Sequence, residues 1–149
     1  DTATTEIYTL EFVGRSDVYK RQVNSGVADA VARFIIGMSH HYGPHVLLAA
    51  VFIITNLFTE LITNNAAAAL AFPLALSISS QMGVSPMPFF VVICMAASAS
   101  FSTPIGYQTN LIVQGIGNYK FTDFVRIGLP LNIITFLISI FLIPLIWPF

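Results

Sequence analysis

The sequence predicts an all-α integral membrane protein, because it is apolar and carries few charges. Charged residues are 9% of the chain and hydrophobic residues 56%, whereas a soluble domain has about 25% charged residues. Between Phe34 and Tyr119, Glu60 is the only Asp, Glu, Lys or Arg. A membrane-crossing helix needs roughly 20 residues, so a chain of 149 residues has room for about four or five such segments. The net charge of −1 argues against a nucleic-acid partner.

Apolar runs separated by turn signals predict six helices. We expect them at residues 26–41, 45–62, 66–81, 88–103, 107–115 and 128–147. The first is amphipathic and too charged to cross a bilayer, so it is expected to lie in the membrane interface. The last is a terminal span that ends at an interfacial Trp147.

The stretch 59–69 places unusual polar chemistry between two apolar runs. An ionisable residue at membrane depth is a candidate for function, which singles out Glu60. Unpaired polar backbone is not tolerated in lipid, so we expect Thr63, Asn64 and Asn65 to form the tip of a re-entrant helical hairpin. The alternative is an ordinary helix cap, because Thr and Asn are common capping residues.

A second polar break is predicted around Pro104. Proline removes a backbone donor and disfavours helix at the residue before it, while Gly106 permits an unwound backbone. Gln108, Thr109 and Asn110 crowd around this point. The pattern favours a broken helix with a binding loop over a plain proline kink.

The first 22 residues look foreign to the rest of the chain. Residues 17–22 read Asp-Val-Tyr-Lys-Arg-Gln, which is the translation of a transposon-derived sequencing adaptor. We therefore expect residues 1–22 to be a non-native or disordered segment, and residues 23–149 to form one transmembrane unit. The alternative is a genuine polar N-terminal tail.

An enzyme is not expected. A membrane-embedded hydrolase needs a nucleophile and a base within reach of each other. Ser98, Ser100 and Ser102 are the candidate nucleophiles, yet the chain's three histidines all precede the first deep segment.

Three stretches of the sequence resemble the C-terminal half of divalent anion/sodium symporters, and more narrowly the bacterial permeases of the sodium:sulfate symporter type. They are residues 57–70, 83–86 and 97–110. In that family, two inverted repeats each supply a re-entrant hairpin and a broken helix, which enclose sodium ions and an anion. The resemblance implies that this chain is one half of an inverted-repeat transporter, a fragment that lacks the N-terminal repeat. It also implies a homodimeric, multi-pass protein of the bacterial inner membrane.

Two departures from the family pattern affect the identity of the substrate. The family's hairpin tip is Ser-Asn-Thr, and here it is Thr63-Asn64-Asn65. The family's broken helix often has Thr-Pro-Pro before its Asn, and here Tyr107-Gln108-Thr109 precedes Asn110. Both changes suggest a different anion with the same mechanism.

The resemblance implies secondary active transport of a small anion, sulfate-like or a dicarboxylate, coupled to sodium by alternating access. The implied sodium ligands are Thr59, Ile62, Asn64 and Gly106. The implied substrate-binding residues are Thr63, Asn64, Asn65, Tyr107 and Gln108. An alternative is half of a proton-coupled ion antiporter, in which Glu60 is the coupling acid. A further alternative is a fragment with no activity of its own.

Overall fold

A computed structural model describes residues 27–39 and 43–149 of the chain. The expectation for residues 1–22 lies outside the described residues. Six α-helices and no strands make up the described part. The helices are α1 (Val27–Ser39), α2 (Gly43–Leu61), α3 (Asn64–Met82), α4 (Met87–Ser98), α5 (Gln108–Gly117) and α6 (Phe121–Ile146).

The core lies where α2, α3 and α4 pack on one another, with α1 against α2 and α3 and with α6 against α2 and α4. Helix α2 contributes Leu48, Val51 and Phe52, which are fully or almost fully buried. Helix α3 presents Ala71 and Ala75 to the same core with no exposed surface. Small side chains let helix backbones approach closely, which is typical of helix contacts in membranes.

Among the described helices, two are long and apolar enough to cross a membrane. They are α2, with 19 residues, and α6, with 26 residues. At a rise of 1.5 Å per residue they extend about 28 and 39 Å. Helix α6 leaves Ile138, Phe141 and Leu145 exposed, as expected for a helix whose neighbour is lipid or further protein.

The predicted interruption of the first apolar stretch is present, and it is narrower than expected. Helix α2 ends at Leu61 and α3 begins at Asn64. Thr63 is the N-cap of α3, and its side chain accepts a hydrogen bond from the Ala66 N–H at 3.4 Å. The stretch is therefore both a break and a helix cap, so the two interpretations of the sequence do not exclude each other.

Two predicted helix boundaries are wrong. Helix α4 ends at Ser98 rather than at residue 103, because the N–H groups of Ser102 and Thr103 donate to a carboxylate on α2 instead of to their own helix. Helix α6 begins at Phe121 rather than at residue 128. Its start is set by Asp123, which accepts a hydrogen bond from the Lys120 N–H at 2.9 Å, and Pro130 is accommodated inside the helix.

Candidate functional site

Thr59 joins three helices at one point. It lies in the last turn of α2 and is fully buried. Its hydroxyl oxygen is 2.7 Å from Oδ1 of Asn64, the first residue of α3. It is also 2.7 Å from the main-chain oxygen of Ala97 in α4. One hydroxyl proton serves two acceptors, so three oxygen atoms converge with a single hydrogen among them.

The second break lies directly against the first. Gly106 is buried, and a Cβ atom added to it would collide with the main-chain oxygen of Thr59 and with Oγ of Ser100. The Ser100 hydroxyl donates to the same Thr59 oxygen at 3.2 Å. Glycine is therefore required at residue 106 for the two breaks to touch.

The carboxylate of Glu60 is held by three N–H donors. Its Oε1 accepts from the Ser102 N–H at 2.9 Å and from Nδ2 of Asn132 at 2.8 Å. Its Oε2 accepts from the Thr103 N–H at 2.7 Å. The Thr103 hydroxyl also donates to the main-chain oxygen of Glu60 at 2.8 Å. With 8% of its surface exposed, Glu60 pairs within this chain, so no outside group is needed to hold it.

Three asparagines outside the predicted set of ligands complete the network around residues 99–107. Asn132 on α6 donates to Oγ of Ser102 at 2.7 Å as well as to Glu60. Asn56 on α2 donates to the main-chain oxygen of Ala99 at 2.7 Å. Asn110 on α5 donates to the main-chain oxygen of Ser100 at 3.4 Å. An amide inside an apolar helix is the signal that could have identified Asn56 and Asn132.

The predicted site residues fall into two groups. Thr59, Asn64 and Gly106 come together at the contact between the breaks, and the half-buried Ile62 lies within the first break. The predicted substrate-binding residues are at the surface of the described bundle. Asn64 is half-buried, and the exposed ones are Thr63, Asn65, Tyr107 and Gln108.

Two helices begin at the breaks and direct their N-termini there. Asn64 is the first residue of α3, and Gln108 is the first residue of α5 after the N-cap Tyr107. The N-terminus of a helix carries partial positive charge and free N–H groups. The surface beside the breaks is therefore suited to an anion.

Helix α5 stands apart from the bundle. It packs against none of the other described helices and buries none of its residues. An open cavity of about 820 Å³ separates it from α6 and reaches Phe101 and Asn110 at the second break. The second half of the broken helix therefore has free surface for a neighbour.

Helices interrupted by polar breaks within an apolar chain are typical of membrane transporters. The sequence profile of the citrate transporter family matches residues 23–148. The chain therefore belongs to the citrate transporter family, and it is a membrane protein. The resemblance to the divalent anion/sodium symporters is confirmed.

Individual relatives are also transport proteins. An uncharacterized transporter of Escherichia coli strain K12 is 42% identical over 128 residues, which are 86% of this chain and 21% of that protein. Sodium/sulfate cotransporter 1 of Chlamydomonas reinhardtii is 36% identical over 120 residues, which are 80% of this chain and 14% of that protein. A sodium-dependent dicarboxylate transporter of Staphylococcus saprophyticus is 25% identical over 105 residues, 70% of this chain and 20% of that protein. The chain spans about a fifth or less of these relatives.

Proposed function

We propose that this chain forms one half of the binding site of a secondary active transporter, which moves a small anion together with sodium by alternating access. The observation that carries the proposal is the contact of the two breaks. Thr59 and Asn64 bring oxygen atoms together at the first break, and Gly106 of the second lies against the Thr59 main chain. The names of the sodium/sulfate and sodium-dependent dicarboxylate relatives support sulfate or a dicarboxylate as the anion.

Sodium binds, in this proposal, where the oxygen atoms converge. Hard cations prefer oxygen ligands. The Thr59 hydroxyl and the Asn64 amide oxygen are 2.7 Å apart, and the main-chain oxygens of Ile62 and Gly106 are the further ligands. A cation at this point would interact favourably with the oxygen lone pairs that the single Thr59 proton leaves unpaired.

The anion binds at the adjacent helix N-termini. Thr63, Asn65, Tyr107 and Gln108 are exposed there. Their hydroxyl and amide groups are neutral donors, and the ends of α3 and α5 add partial positive charge. Asn64 contributes to both sites, since its oxygen faces Thr59 and its amide nitrogen is a donor.

Coupling between sodium and the anion follows because Asn64 contributes to both binding sites. Sodium that fixes the Asn64 amide also fixes a donor for the anion, and its positive charge offsets the charge of the anion. Each ligand therefore raises the affinity for the other by the same factor, as linkage requires. No catalytic residue takes part.

The remaining parts of the proposal concern the whole protein. The chain's short coverage of its relatives supports a fragment that needs a second, N-terminal repeat to enclose the anion. The free surface of α5 offers a place where such a repeat could pack. The complete protein is proposed to be a multi-pass homodimer of the bacterial inner membrane.

The test is uptake by proteoliposomes that contain the full-length protein with residues 23–149. Radiolabelled sulfate and succinate are offered under an inward sodium gradient or an equal choline gradient at constant pH. Uptake that requires sodium supports the proposal. Uptake driven by a pH gradient and indifferent to sodium would instead support the antiporter with Glu60 as its coupling acid.

A further inference from the structure

We infer that Glu60 is a positioning residue. Its carboxylate holds the unwound segment of residues 99–107 against the end of α2, and Asn132 of α6 holds the carboxylate in turn. The inference rests on the proposed function, because the main chain that Glu60 positions includes the proposed sodium ligand Gly106.

The unwound segment needs hydrogen-bond acceptors from outside itself. Helix α4 ends at Ser98, so the N–H groups of Ser102 and Thr103 lie beyond its hydrogen-bond pattern, and a membrane interior offers little water as an acceptor for them. Glu60 accepts from two successive N–H groups, those of Ser102 and Thr103, at 2.9 and 2.7 Å. Successive N–H groups form a concavity that attracts anions. The Glu60 carboxylate fills the concavity formed by the N–H groups of Ser102 and Thr103, so the transported anion does not bind there.

Asn132 is oriented to serve the carboxylate. Its Nδ2 donates to Glu60 at 2.8 Å and to Oγ of Ser102 at 2.7 Å. Its Oδ1 is buried without a hydrogen-bond partner, which is destabilising for a polar atom. The amide thus satisfies the carboxylate while its own oxygen stays unpaired.

The backbone of α6 also approaches the unwound segment closely, beside the hydrogen bonds made by Asn132. A Cβ atom added to Gly128, one turn before Asn132 on α6, would collide with the main-chain oxygen of Phe101 and with Cα of Ser102. Helix α6 therefore meets the unwound segment through both a glycine contact and a hydrogen bond. This is how the terminal helix takes part in the site without contributing a ligand.

Glu60 also supplies charge. The groups that donate to its oxygens are two backbone amides and a side-chain amide, none of which carries a positive charge. Glu60 directly follows Thr59 at the end of α2, so the two residues share one helical turn, and we expect the carboxylate to act on a cation held there. A partly desolvated negative charge attracts a nearby cation more strongly than one in bulk water. Loss of Glu60 is therefore expected to weaken sodium binding more than anion binding.

A double-mutant cycle on the purified full-length protein tests the contact without any transport assay. Glu60→Gln alone lowers the melting temperature, because an amide NH₂ then faces N–H donors. Asn132→Asp alone lowers it further, because two carboxylates then face each other. Combined, the two changes exchange carboxylate and amide, so adding Glu60→Gln to Asn132→Asp is expected to raise the melting temperature. If Glu60→Gln lowers the melting temperature of the Asn132→Asp protein by as much as it lowers that of wild type, the inference is overturned.

If Asn132→Asp proteins do not accumulate, Asn132→Ala replaces them in the cycle. Adding Glu60→Gln is then expected to lower the melting temperature by less than it does in wild type, because the Asn132 donor is already absent. An equal decrease in the two backgrounds would contradict the hydrogen bond between Glu60 and Asn132.

Sodium dependence tests the positioning role. Glu60→Gln is expected to raise the sodium concentration for half-maximal uptake at least tenfold, while the KM for the anion at saturating sodium changes less than threefold. The exchanged pair Glu60→Gln/Asn132→Asp is expected to recover part of the sodium affinity. An unchanged sodium requirement with reduced maximal uptake would overturn the inference. If the wild-type protein shows no sodium-dependent uptake, the proposed function is contradicted instead. The double-mutant cycle measured by melting temperature would still test the hydrogen bond between Glu60 and Asn132.

Discussion

The hydroxyl oxygen of Thr59 and the amide oxygen of Asn64 lie 2.7 Å apart across the break that separates α2 from α3. The main-chain oxygen of Ala97 in α4 is also 2.7 Å from that hydroxyl. One side chain therefore links the ends of three helices. This arrangement is the basis of the first two predictions.

Thr59→Val is expected to abolish sodium-dependent uptake. Valine keeps the shape of threonine and removes the hydroxyl, so one proposed sodium ligand is lost. The oxygens of Asn64 and Ala97 lose their shared donor, which is expected to lower the free energy of unfolding by about 1–3 kcal/mol. Uptake is measured in proteoliposomes, and stability by thermal unfolding in detergent.

Thr55→Val is the matched control for this change. Thr55 is also fully buried on α2, and its hydroxyl donates to the main-chain oxygen of Val51 within the same helix at 2.7 Å. Its loss leaves that oxygen in the helical hydrogen-bond pattern, so sodium-dependent uptake is expected to persist. Equal losses in the two variants would show that Thr59 acts only through packing.

Asn64→Ala is expected to remove a sodium ligand and an anion donor together. Each lost interaction should cost about 1–3 kcal/mol, because buried partners are left unsatisfied. Uptake is expected to fall at every sodium concentration that can be tested, with protein level checked by immunoblot. Sodium-dependent uptake like that of wild type would show that Asn64 is only part of a helix cap.

Gln81→Ala is the control for Asn64→Ala. Gln81 is exposed on α3 and donates to Oγ of Ser77 at the surface, so uptake is expected to be unchanged. Asn132 is unsuitable as a control because it donates to Glu60.

Gly106→Ala is expected to separate the two breaks. The added methyl group collides with the main-chain oxygen of Thr59, which cannot move without displacing the end of α2. Sodium-dependent uptake is expected to drop at least tenfold, measured as initial rate at saturating anion.

Gly37→Ala on α1 is the comparison, since a Cβ atom there meets nothing within 4 Å. It is expected to leave uptake unchanged and to favour the helix by up to about 1 kcal/mol. If both glycine variants behave alike, the contact between the breaks is not required for transport.

Removal of residues 1–22 from the 149-residue chain is expected to leave its thermal unfolding unchanged. A segment that did not evolve with the helical bundle has no reason to complement its surface. The measurement is the melting temperature in detergent with and without the segment. A decrease of several degrees on removal would support a genuine N-terminal tail that packs on the bundle.

The sequence alone indicated the environment of the chain, the position of the first break and the presence of a second break around Pro104. Composition requires a membrane, and the breaks have local signals. Pro104 and Gly106 disrupt helix through their own backbone chemistry, and Thr63 interrupts an apolar run as a helix cap. The family resemblance could be drawn from the same stretches, because the residues that form the breaks are contiguous in the chain.

The tertiary structure decided which groups pair around the breaks. Glu60 meets donors 42, 43 and 72 residues further along the chain, and no local pattern specifies such partners. The same pairing explains the early end of α4, since Ser102 and Thr103 donate their N–H groups to Glu60 rather than to a helix. A hydrogen bond between distant segments depends on how the helices pack, and a backbone donor in an apolar interior takes the acceptor that packing brings to it.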